Sequence, residues 1–128
     1  MPPQITPGHE LSATPPEGPC QATVRLELFA SDEERSTVDV LYRIVLPDVR
    51  VAFLEPQGPS PLHRKAGVAL SGLSQRVAEE VVLVDTGATV FPVPVEIRAS
   101  LVAPGAADDA AAFDSTTTTF FALAGGQG

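Results

Sequence analysis

The sequence predicts an all-β fold built as a single β-sandwich, and three observations predict it. Hydrophobic residues recur at a period of two along several segments, as in strands that bury one face. Seven such segments are separated by Gly, Pro, Asp and Ser turn signals, a layout that suits a sandwich or small barrel better than an α/β fold. Hydrophobic residues make up 44% of the chain while aromatics make up 5% and tryptophan is absent, so the core must be aliphatic. At 128 residues the chain suits one domain, which needs neither a disulfide nor a metal to hold together.

The elements follow in chain order. Residues 1–19 hold six of the thirteen prolines and show no hydrophobic period. Proline fixes φ and donates no backbone hydrogen bond, so an extended arm is expected here, held by a neighbouring subunit if it is ordered. The sandwich is expected over residues 20–124, with a flexible tail at 125–128. Ala22, Val24, Leu26, Leu28 and Ala30 alternate with Thr23, Arg25, Glu27 and Phe29, and the polar run 31–36 reads as a turn. Val38, Val40, Tyr42, Ile44 and Leu46 share one face, with Asp39 and Arg43 opposite. Beyond Pro47-Asp48 the alternation resumes at Val49, Val51 and Phe53. Residues 56–61, with three prolines and Gly58, read as a loop and cannot lie in a central strand.

Short strands are expected at 66–70 and 77–84. Val93, Val95, Ile97, Ala99 and Leu101 form the cleanest alternation in the chain. The last strand, 116–123, is rich in β-branched and aromatic residues, and its alternation is expected to bury Thr117, Thr119 and Phe121. Two stretches leave a helical alternative. Val77, Val81 and Val84 are spaced by four and three within 74–84, and 105–113 is alanine-rich, although a solvated loop or one helical turn suits the latter better.

Residues 41–101 carry a strand ending in Leu46-Pro47, a paired strand, a Gly72-Leu73 turn and a long valine-rich return strand. In pattern this resembles bacterial immunoglobulin-like accessory domains. The expected sandwich is therefore immunoglobulin-like or jelly-roll-like. A shared architecture transfers no activity.

Composition narrows the function. The formal charge of −8, with no basic cluster beyond Arg64-Lys65, disfavours nucleic-acid binding and attachment to an anionic membrane. Cys20 is the sole cysteine, so an intramolecular disulfide, a thiolate zinc site and an iron–sulfur cluster are all out of reach. As a nucleophile it would need His9 or His63, and its place where the arm meets a strand makes a catalytic role a minor reading. The first eighteen residues have no basic and no apolar region of a secretory signal, and no run approaches the ~18–20 apolar residues of a membrane helix. Cytoplasmic synthesis is the expectation.

One local motif is sharp. Val82-Leu83-Val84-Asp85-Thr86-Gly87-Ala88 resembles the active-site loop of aspartic proteases. Two such loops meet at a symmetry axis, where two carboxylates share a proton and activate water. The resemblance implies a retropepsin-like homodimer with Asp85 as the catalytic acid from each subunit, Thr86 bracing the loop and Gly87 admitting its turn. The chain departs from that family downstream, where Pro92 and Pro94 interrupt the next strand and 41 residues leave little room for a flap. The competing reading is a strand that ends in an ordinary Asp-Thr-Gly turn.

The remaining polar residues suggest little chemistry. His9-Glu10 and His63 lie in Pro-rich segments without a second ligand at helical or strand spacing, and solvent-exposed histidines are expected. Asp32-Glu33-Glu34 and Asp108-Asp109 lack the spacing of a calcium loop and read as solvated turns. Residues 116–119, four threonines followed by Phe120-Phe121, make a flat uncharged strand that invites edge pairing with another chain. The expectation is a non-enzymatic structural or interaction module of a larger assembly, such as a virion decoration, connector or tail component. Its partners would be copies of itself or neighbouring subunits, and it would use no cofactor or metal. The alternative is the Asp85 protease.

Overall fold

A computed structural model of the chain describes residues 3–6, 11–14, 23–46, 51–85, 93–107 and 109–122. They form ten strands and no helix: β1 (Gln4–Ile5), β2 (Ser12–Thr14), β3 (Thr23–Ser31), β4 (Thr37–Leu46), β5 (Val51–Glu55), β6 (Gly58–Ser60), β7 (Leu62–Ala69), β8 (Gln75–Asp85), β9 (Val93–Val102) and β10 (Asp114–Ala122). Among the described residues no helix is long and apolar enough to cross a membrane. Two antiparallel sheets pack face to face as a β-sandwich. One runs β1-β3-β8-β5-β6, with β2 also pairing β3, and the other runs β10-β9-β4-β7.

The aliphatic alternation builds the core. Val24, Leu26, Leu28 and Ala30 of β3 oppose Val38, Val40, Tyr42 and Ile44 of β4 and Val95, Ile97, Ala99 and Leu101 of β9, all buried. Each large side chain removed from water here contributes about 1.5–3 kcal/mol, and these facing rows account for the pairing of the sheets.

The strand expected at 77–84 and the loop expected at 105–113 are found in place of their helical alternatives, while the loop expected over 56–61 contains the short edge strand β6 and the face assignment of the last strand is reversed. Residues 75–85 are strand, because Val77, Glu79, Val81 and Leu83 form a period-two row facing the other sheet. A glutamate inside that row hides the alternation and leaves the valines at a misleading helical spacing. The described part of 105–113 consists of turns and bends without a helix. In β10 the inward face is the opposite of the expected one: Thr116 and Thr118 are partly buried, Thr117 and Thr119 exposed. Residues directly opposed in an antiparallel pair share a face. Register sets Thr116 against Ala99 and Thr118 against Ile97, both of which point into the core. The side chain of Phe121 lies outside the described residues.

The N-terminal segment contributes to the sandwich of its own chain. Gln4 and Ile5 pair with Ser31 and Ala30, Ser12 to Thr14 pair with Glu27 to Arg25, and Ile5 and Leu11 are buried in the core. The Ile5 N–H also donates to Asp114 Oδ2 at 2.9 Å, bridging the two sheets. Proline density concealed these two apolar anchors. The rest of the proline-rich arm, 1–2, 7–10 and 15–19, and the tail 125–128 lie outside the described residues.

Candidate functional site

Chemistry-bearing side chains gather at one edge of the four-stranded sheet, and at the other edge no strand among the described residues pairs with β10. At the β7 edge, Val38 pairs with Val68 but Val40 pairs with Lys65, so β7 carries one extra residue opposite Asp39. Gly67 sits in this bulge at φ +70°, a conformation that glycine adopts without steric cost. An inserted residue exchanges the two faces of a strand. His63 and Lys65 therefore share the inward face with their partners Tyr42 and Val40, although the alternation read back from Val68 would turn them to solvent.

Two carboxylates from the opposite sheet meet them. His63 Nδ1 lies 2.8 Å from Glu55 Oε2, and Nε2 lies 2.6 Å from Glu79 Oε2. Lys65 Nζ lies 3.4 Å from the other oxygen of Glu79. The rings of Phe53 and Tyr42 flank the imidazole at centroid distances of 5.8 and 6.1 Å. The His63 side chain is 19% exposed, which corrects the expectation of a solvent-exposed histidine. Burial of the ring opposes its positive charge, but the hydrogen bonds to Glu79 and then Glu55 outweigh it and raise the pKa above 6.5. Tyr42 is fully buried, its hydroxyl has no hydrogen-bond partner among the described residues, and burial together with Glu79 pushes its pKa up.

The neighbouring carboxylate is structural. Asp39, expected on the outer face, is buried there. Its Oδ1 accepts the Gly67 N–H at 3.0 Å, while Oδ2 accepts the Gly105 N–H at 3.0 Å and an Arg64 N–H. One side chain thus secures the bulge of β7 and the turn after β9, where Gly105 has φ +74°. The hydrogen bonds from Gly105, Gly67 and Arg64 hold its carboxyl below the usual range against the opposing effect of burial. Asp32 is likewise committed to its own turn, accepting from the Ser36 hydroxyl, the Glu34 N–H at 2.9 Å and the Ser36 N–H at 3.1 Å. The hydroxyl bond leads in lowering its pKa. Among the described residues no three His, Cys, Asp or Glu side chains are placed to hold a metal ion.

Asp85 closes β8, its backbone paired with Val51. Its side chain, like Thr86 and Gly87 and like His9, Glu10 and Cys20, lies outside the described residues.

The far edge of the same sheet is β10. It pairs with β9 through nine consecutive positions without a shift, from Asp114–Leu101 to Ala122–Val93. No strand among the described residues pairs with its other side. After Asp114 it contains no charge and no proline. The other sheet edges carry devices that discourage pairing. The strand β7 has a bulge and inward-facing basic groups, β6 contains Pro59, and β1 and β2 are two and three residues long. The sequence signalled the β10 edge through its uncharged threonine run. It gave no sign of the Glu55–His63–Glu79 cluster, apart from the glutamate inside the valine row of β8.

No protein-family model matches the chain, and no curated protein matches it.

Proposed function

We propose that this chain is a non-enzymatic structural or interaction module of a larger protein assembly, an immunoglobulin-like or jelly-roll-like sandwich that docks through the open edge of β10. The observation that carries this reading is the contrast between sheet edges. Three carry protective devices, whereas β10 beyond Asp114 is long, uncharged and free of proline and bulges. Strand addition at such an edge draws affinity from main-chain hydrogen bonds. A virion decoration, connector or tail component is an assembly of this kind.

The test is size-exclusion chromatography with light scattering of the chain in the presence of its native neighbours. The expected result is migration in a complex heavier than the 13.3 kDa chain, lost in a Thr117→Lys/Thr119→Lys variant. A chain that stays at its monomer mass beside those neighbours would remove the reading.

A further inference from the structure

Resting on that reading, we infer that the strand added to β10 is β10 of a second copy, running antiparallel across a two-fold axis near Thr118. The pairing would fuse two four-stranded sheets into one of eight strands.

A two-fold axis sets each patch against itself, so an isologous interface must tolerate like on like. Like charges directly opposed across two strands are destabilising, which makes most strands of a −8 chain poor partners for themselves. The edge strand β7 offers no regular ladder to its own copy, because the bulge at Gly67 breaks its register. Residues 115–122 carry no charge, so self-pairing sets no charge against a like charge.

The same absence leaves nothing with which to select a charged partner. What β10 does offer is self-complementary. An antiparallel ladder between two copies satisfies the backbone groups of both edges. Centred near Thr118, it sets Thr117 of each copy opposite Thr119 of the other, and Thr–Thr pairs are among the favourable cross-strand contacts. Thr116 and Thr118, partly buried at the rim of the core, would become covered.

Charge complementation tests the inference. Two double variants are made, Thr117→Lys/Thr119→Lys and Thr117→Glu/Thr119→Glu. Both positions are exposed, and their partners on β9 are Arg98 and Glu96. Each variant thus gains one favourable and one unfavourable pair within its own sheet, so folding should be little changed, as circular dichroism and thermal unfolding will report. Sedimentation is run on the purified chain with reductant present, so that Cys20 cannot cross-link copies.

The wild type is expected near twice 13.3 kDa. Each variant alone should associate about tenfold more weakly or less, a change of about 1.4 kcal/mol. An equimolar mixture should recover the dimer, because lysine then faces glutamate. A wild type that remains monomeric overturns the inference, as does a dimer that survives unchanged in either charged variant. A chain that is monomeric alone yet assembles with its native neighbours sinks the self-pairing and leaves the interaction module standing. A chain that does neither sinks both.

Discussion

Nε2 of His63 stands 2.6 Å from a carboxylate oxygen of Glu79, while the other ring nitrogen stands 2.8 Å from Glu55. A neutral imidazole has one N–H to donate, and an ionised carboxylate has none. Two such contacts at once require one further proton, and the hydrogen bonds to Glu79 and Glu55, which raise the pKa of His63, favour its residence on the ring. The imidazolium then ties β7 of one sheet to β5 and β8 of the other.

This clamp makes stability depend on pH. The folded pKa of His63 lies above its ordinary 6.5. Its contribution is therefore fully present below about 6.5 and is lost as pH rises through the folded value. Glu55 of β5 and Glu79 of β8 bond the ring directly, Lys65 of β7 shares Glu79, and the Tyr42 ring of β4 lies beside the imidazole. Replacing His63 with Gln should cost about 1–2 kcal/mol near pH 6 and distinctly less near pH 9, measured by urea unfolding. An equal cost at both values would show that the ring carries no extra proton.

Gly67 tests the bulge. A Cβ at this position meets nothing within 4 Å, so Gly67→Ala adds no clash and isolates the backbone cost of φ +70°. The expected loss is about 1–2 kcal/mol in thermal or urea unfolding. A neutral result would mean that the left-handed turn is absent in solution.

Tyr42→Phe removes a buried hydroxyl that has no hydrogen-bond partner among the described residues. Because burying an unpaired hydroxyl is unfavourable, the variant should match the wild type or exceed it by up to about 1 kcal/mol. A loss of similar size in urea unfolding would assign the hydroxyl a partner.

Leu11→Ala tests the N-terminal segment. Leu11 is 6% exposed within the core cluster, and its truncation should cost about 2–3 kcal/mol. A variant as stable as the wild type would mean that this segment does not pack on its own sandwich.

The rows that could be read in advance are those whose alternation runs unbroken. Val24 to Ala30, Val38 to Ile44 and Val95 to Leu101 are buried in the structure as their period of two implies, because in a regular strand the pleat alone decides which side chains share a face. Within the candidate site, the threonine run of β10 was visible because charge is written directly in the residues.

Other features depend on pairing between distant segments. One extra residue at Gly67 turns His63 and Lys65 inward, and pairing with Ala99 and Ile97 turns Thr116 and Thr118 inward. Glu79 occupies a core-facing row because a histidine and a lysine meet it from the opposite sheet. Ile5 and Leu11 enter the core because β3 offers them an edge. The sequence by itself determined the strand class, the aliphatic core and the uncharged last strand. Register, bulges and the contacts between sheets were decided by the tertiary structure, since each depends on which residue lies across the gap, and local periodicity carries no record of that.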